Sequence, residues 1–128
     1  MIKSQESVEK FMRMAGQSAP DHPTVPDKKT CALRLKLHEE EAVIELREAF
    51  DKEDIVLIAD SIADSLVVVL GTAVACGINI EPIFQEVMRS NMTKFIDGHR
   101  REDGKWIKGP SYTPANITPL ICEQIRRI

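Results

Sequence analysis

Two long helical patterns separated by only three residues dominate this sequence. The first begins near Asp27 and runs to Phe50 without an internal Gly or Pro. The second begins near Asp54 and runs to Cys76, where Gly77 supplies a C-cap. The connection, Asp51-Lys52-Glu53, is too short for anything but a tight reversal. The two helices must therefore lie antiparallel as a helical hairpin. Around the hairpin the signals are weaker. Ser7 to Ala15 reads as a short helix, with Val8, Phe11, Met12 and Ala15 at helical spacing and Gly16 as its stop. Gln17 to Pro26 holds Pro20, Pro23 and Pro26 and reads as loop. Pro82 suits the first turn of a fourth helix, which carries Ile83, Phe84, Val87, Met88 and Met92 and fades near Phe95.

The last third is full of turn signals: Asp97-Gly98, Asp103-Gly104 and Gly109-Pro110. Lys105 to Lys108 fits a short strand or extended arm. Pro114 and Pro119 oppose a helix until Leu120, after which a short terminal helix fits. The expectation is an all-α chain forming one domain over residues 1–128, with its helical core at 27–95 and an irregular C-terminal arm at 96–128.

The hairpin carries an unusual distribution of acids. On a wheel at ~100° per residue, Leu33, Leu37 and Ile44 form one apolar stripe. Leu35, Ala42, Leu46, Ala49 and Phe50 form a second, roughly opposite, so the helix is expected to pack on two sides. One gap between the stripes holds Lys36 and Arg47, with Glu40 at its edge; the other holds Glu41, Glu45 and Glu48. On the partner helix Asp60 and Asp64 lie one turn apart on one face. Almost everything after Asp64 is apolar, which predicts a helix buried nearly all round. Carboxylates facing each other in such a groove repel, and an uncompensated charge there costs several kcal/mol. A divalent cation offsets this economically. An all-carboxylate set without His or Cys is a hard-oxygen site suited to Mg²⁺, with Mn²⁺ as the alternative. The competing reading is a solvated acidic face, the usual fate of a run such as Glu39-Glu40-Glu41; Glu39 points away from the acidic gap and reads as surface.

Composition narrows the class. The 128 residues are 43% hydrophobic and 29% charged, as in soluble globular domains, and the formal net charge is −3. A nucleic-acid polymer would select a basic surface, so none is expected as a partner. Cys31, Cys76 and Cys122 are widely spaced, with no C-x-x-C pair, which argues against zinc. The run Leu66 to Ile78 is short and broken by glycine, so no membrane partner is expected, and the start Met-Ile-Lys-Ser-Gln-Glu shows no apolar signal segment. The expected location is the cytoplasm. No P-loop or dinucleotide fingerprint is present. His22, His38 and His99 are isolated and read as surface residues. Trp106 and Tyr112 stand in the Gly/Pro-rich arm.

The stretch from Arg34 to Lys94 resembles the all-α nucleoside triphosphate pyrophosphohydrolases: MazG, the dimeric dUTPases and phosphoribosyl-ATP pyrophosphohydrolase. The matching residues are Glu40-Glu41-Ala42-Val43-Ile44-Glu45-Leu46, then Asp60-Ser61-Ile62-Ala63-Asp64. Leu70-Gly71-Thr72-Ala73 and Glu86-Val87-Met88-Arg89-Ser90-Asn91-Met92-Thr93-Lys94 are similar to a small MazG-like subgroup. The resemblance implies a MazG-like helical bundle, dimeric or tetrameric, acting on a nucleoside triphosphate. Its acids hold Mg²⁺, and hydrolysis between the α and β phosphates gives monophosphate and pyrophosphate, a nucleotide-pool house-cleaning activity. Carried over, Glu40, Glu41, Glu45, Asp60 and Asp64 form the metal set, with Glu41 and Glu45 also catalytic, one of them as general base. Arg89, Asn91 and Lys94 contact the substrate.

Two departures stand out. The family spacing is Glu-Glu-x-x-Glu, whereas three residues separate Glu41 from Glu45 here. Counting forward from Arg34 selects Glu40 and Glu41; counting back from Glu45 selects Glu41 with Ala42 in the second place. A helical bulge reconciles the two counts. In the second motif, Ser61 stands where a glutamate is common, leaving Asp60, one residue earlier, to serve. The alternatives to nucleoside triphosphate hydrolysis are phosphoribosyl-ATP hydrolysis and a non-catalytic dimerising module that binds nucleotide or another partner. Metal dependence separates enzyme from module.

Overall fold

A computed structural model of the chain describes residues 2–126. The architecture is all-α, with one small two-stranded ribbon. It divides into two compact units, one through Ile78 and one from Asn79 onward.

In the first unit, α1 spans Lys3–Met14 and buries Gln5, Val8 and Met12, a one-face spacing. It starts four residues before the expected Ser7. The extra turn is held by Gln5, wholly buried, whose Nε2 donates to the Ile78 carbonyl oxygen at 2.5 Å. A polar residue does not register in an apolar pattern, so the sequence hid this turn. Gly16, at φ +76°, ends the helix in the left-handed region.

Helix α2 spans Lys28–His38 and starts at Asp27, whose carboxylate accepts from the Thr30 N–H at 2.7 Å. It passes without a break into a π-helical segment, Glu39–Glu45, and then α3, Leu46–Asp51. The reversal follows at once: Glu53 adopts φ +51°, and Asp54 caps the next helix by accepting from Val56 and Leu57 N–H at 2.9 and 3.3 Å. That helix, α4, spans Ile55–Ala75 and closes at Gly77, φ +66°. A side chain at Gly77 would collide with the His22 carbonyl oxygen, so glycine is required twice over. Cross-helix contacts fix the antiparallel register, with Arg34 opposite Val68 and Thr72, and Glu41 opposite Ser65.

The core sits at the C-terminal half of α4. Val68, Leu70, Ala73, Val74 and Ala75 are buried with Val8 and Met12 of α1, and Ala49 of α3 is buried further along the hairpin. Each large apolar side chain there contributes about 1.5–3 kcal/mol. The opposite face of α4 and its first turns are another matter. Ile55, Ile62, Leu66 and Val69 are exposed, Ile55 at 75%. The expectation that this helix is buried nearly all round is therefore corrected: in its first two turns only Ser61 is buried and Ile58 half-buried. The second apolar stripe of the preceding helix is covered in part: Ala49 is buried and Ala42 and Leu46 are half-buried, while Leu35 and Phe50 are exposed. By length and composition α4 could cross a membrane, with mean hydropathy 2.0 over its best window, a test that core helices of soluble proteins also pass. It carries Asp60 and Asp64 mid-helix.

In the second unit, α5 spans Ile80–Met92, capped by Asn79, and is followed by a single turn, α6, Lys94–Asp97. Strands β1 (His99–Arg100) and β2 (Trp106–Ile107) pair antiparallel, His99 opposite Ile107 and Arg100 opposite Trp106. Helix α7 spans Thr118–Arg126. It begins before Leu120, with Pro119 inside its first turn, where a missing N–H costs nothing. The tail is tied down by polar contacts. Buried Ser90 hydrogen-bonds the Tyr112 hydroxyl at 2.9 Å and donates to the Thr113 carbonyl at 2.7 Å. Asp97 accepts from Ser111 N–H and Oγ, and Gln124 exchanges two 2.9 Å hydrogen bonds with the Asn79 backbone. Phe95 meets Trp106 edge-on, ring centres 4.9 Å apart.

Candidate metal centre

The hairpin brings three of the five sequence-selected acids together. Carboxylate oxygens of Glu41, Glu45 and Asp64 all lie within 4.8 Å of one another. Glu41 and Glu45 come from the π segment, and Asp64 faces them from α4. A π turn closes its hydrogen bonds i→i+5 and so takes up one residue more than an α turn. The residue that separates this chain from Glu-Glu-x-x-Glu spacing is absorbed there, leaving α2 and α3 in phase on either side. Ser65 supports the distortion from α4: its hydroxyl lies 2.8 Å from the Ser61 carbonyl oxygen and 3.3 Å from that of Glu41.

The electrostatics follow from crowding. The Glu41 pKa is pushed up to about 7, first by its hydrogen bond with Glu45, then by burial, then by the charges of Glu45, Asp64 and Glu40. Burial raises Asp64 as well, followed by the charges of Asp60 and Glu45. Glu41 Oε2 is buried and has no hydrogen-bond partner among the described residues. An acid held this way needs either a proton or a cation. Oxygen ligands of one Mg²⁺ lie within about 4.2 Å of each other, twice the Mg–O distance. The trio therefore needs only small side-chain adjustments to close on one ion, and the donor set fits.

Glu40 and Asp60 stand outside the trio. Glu40 pairs with Lys36 at 3.8 Å, one turn back. Asp60 is exposed and, with Glu45, Glu48, Lys52 and Ser61, lines a neighbouring cavity of about 180 Å³. Ser61 is buried there, and its Oγ has no hydrogen-bond partner among the described residues. The residue in the usual glutamate position is thus a buried serine, which offers no carboxylate to the trio.

Arg89, Asn91 and Lys94 lie on α5 and α6 of the second unit. Arg89 is engaged within that unit, forming an ion pair with Glu86 and donating to the Pro114 carbonyl at 3.2 Å. Asn91 and Lys94 are half-buried. Three residues that the sequence reading left unassigned also matter. Arg34 is buried and donates to Val68 O and Thr72 Oγ1. His38, expected at the surface, is half-buried with Nε2 2.9 Å from Thr72 Oγ1. Thr72 in turn donates to Val68 O at 3.1 Å. The signals for this cluster were an arginine and a histidine one turn apart on a helix with apolar neighbours, and the Gly71-Thr72 pair on the facing helix.

A protein-family model described as phosphoribosyl-ATP pyrophosphohydrolase matches residues 8–91, two thirds of the chain. The chain belongs to that family. The matched segment runs from α1 into α5 and contains the whole acid-bearing hairpin, Arg89 and Asn91, whereas Lys94 and the tail lie beyond it. The phosphoribosyl-ATP pyrophosphohydrolase family is part of the MazG-like all-α superfamily, and its chemistry is pyrophosphohydrolysis of a nucleotide. A search of curated proteins returned no match.

Proposed function

We propose that this protein is a Mg²⁺-dependent pyrophosphohydrolase that cleaves free nucleoside triphosphates to monophosphate and pyrophosphate. The observation that carries the reading is the convergence of Glu41, Glu45 and Asp64 within 4.8 Å, with Glu41 protonating near neutrality. These three residues would hold the ion. When bound, Mg²⁺ supplies positive charge against which a polyphosphate can be placed and polarised. The protein's own share is positional and protolytic. Glu45, exposed at the rim of the trio, accepts the proton of an attacking water. Glu41, raised to about 7 by its hydrogen bond with Glu45, by burial and by the neighbouring acids, holds a proton that the ion must displace. Asp64, on the opposite helix, fixes the separation of the two walls.

Phosphoribosyl-ATP is the second reading, favoured by the family match itself. The two are separated by assaying pyrophosphate release from a panel of ribo- and deoxyribonucleoside triphosphates beside phosphoribosyl-ATP, with Mg²⁺ and with EDTA. Turnover confined to phosphoribosyl-ATP selects the second reading, and turnover of none of them sinks both.

The working form in this proposal is a homo-oligomer, dimer or tetramer. Ile55, Ile62, Leu66 and Val69 recur at helical spacing along exposed α4, and Val43 and Phe50 are open on the facing helix. Such a row of large apolar side chains is costly in water and suits a second copy of the chain.

A further inference from the structure

The core of the first unit holds a guanidinium, that of Arg34, with no carboxylate partner among the described residues. Arg34 is 7% exposed, and both of its acceptors, Val68 O at 2.7 Å and Thr72 Oγ1 at 3.1 Å, are neutral. Its plane lies against Gly71, where any side chain would collide with Nη2. Those contacts use one N–H on Nη2 and the one on Nε, leaving three donors of the five. A hydrocarbon of the same length would pack α2 against α4 without the desolvation cost of a buried charge.

Arg34 also stands between two cavities. The inner one, about 280 Å³, has apolar walls from Phe11, Met12, Leu37 and Val67, and Glu41 forms part of its lining. The outer one, about 460 Å³, is bordered by Ser18, Lys29 and Thr30. Met12, Gln17 and Arg34 line both. The inner cavity and the acid trio therefore share a residue, Glu41. Arg34 lies seven residues before it on one helical rod, about 10 Å away at the α-helical rise. The reach from an α-phosphate to the far edge of a nucleobase is of the same order.

We propose that the inner cavity is the nucleobase subsite and that Arg34 selects guanine-type bases through their paired acceptor edge. The proposal rests on the pyrophosphohydrolase reading. Apolar walls suit a flat ring and do not suit a phosphate, whose place is at the acids. A guanidinium fork matches the N7 and O6 acceptors of guanine, whereas adenine sets an amine donor beside N7 and leaves two donors face to face. Arg34 is thus a specificity-determining residue distinct from the acids.

The test is binding of guanosine and adenosine to the full chain in EDTA, by calorimetry, with triphosphate turnover in Mg²⁺ measured in parallel. Guanosine is expected to bind at least tenfold tighter than adenosine, and Arg34→Met to bring the two within about twofold. Because Arg34→Met alters a core contact, its fold is checked by circular dichroism. If it does not fold, the ¹⁵N signal of the buried guanidinium in the unsubstituted protein decides: guanosine must shift it and adenosine must not. Equal affinities, no nucleoside binding, or an unchanged guanidinium signal overturns the subsite. Guanosine preference without pyrophosphate release from any triphosphate overturns the functional reading and leaves the subsite standing; turnover indifferent to the base does the reverse.

Discussion

Glu41 is the residue on which the most physics converges. Its folded pKa of about 7 lies above the 4.5 of an ordinary glutamate, so the folded chain holds a proton that the unfolded chain has released. By linkage, stability without metal is then greatest below about pH 4.5 as far as this group is concerned. It falls as pH rises toward 7 and levels off above. Glu41→Gln removes that loss. The variant should be more stable than the parent above pH 7 by on the order of 1 kcal/mol once solvent screening is allowed for, with no advantage below pH 4.5. Urea melts across pH 4–8 with EDTA check this, and an advantage that persists at pH 4 contradicts the assignment. The same proton competes with Mg²⁺, so Mg²⁺ affinity should weaken as pH drops below about 7. Asp64 and Glu41 were visible in the sequence as acids on facing helix surfaces. Arg34 was not, because a lone arginine in an amphipathic helix normally reads as solvent-facing.

At the scale of elements, the hairpin was legible from end to end. The caps at Asp27 and Asp54, the three-residue reversal and Gly77 are local chemistry, and each is where the pattern placed it. The π segment was legible only as a counting conflict between Glu41 and Glu45. Deleting Ala42 resolves that conflict by producing Glu-Glu-x-x-Glu in an uninterrupted α-helix. The deletion should preserve helical content and keep turnover within about tenfold. A loss beyond a hundredfold means that the π turn itself shapes the site. Ser65→Ala should cost about 1 kcal/mol, the typical net worth of the hydrogen bond it removes, read as a shift in melting temperature. The tail was the least legible element. Its order depends on contacts such as Ser90 with Thr113, between residues far apart in sequence and without periodicity. Ser90→Ala removes the hydrogen bonds that tie half-buried Tyr112 and the Thr113 carbonyl to α5 and should destabilise by about 1 kcal/mol.

For the molecule as a whole, the charge pattern and the apolar pattern point to different surfaces. The acids converge inside the hairpin, whereas the apolar row on α4 faces outward. Helical periodicity marks both as faces but does not say which is covered within one chain; that depends on how many elements pack against α4. A charge in the row should therefore disturb assembly before it disturbs the fold. Leu66→Asp is expected to lower the mass seen by light scattering to that of one chain while helical content is retained. An unchanged mass places the interface elsewhere. The central claim, however, is chemical, and pyrophosphate release from nucleoside triphosphates by the parent chain and by Asp64→Asn, with Mg²⁺ and with EDTA, tests it most directly. Release by the parent in Mg²⁺ alone, reduced at least a hundredfold in Asp64→Asn, is the predicted result. Release that survives EDTA or the Asp64→Asn substitution would contradict the account.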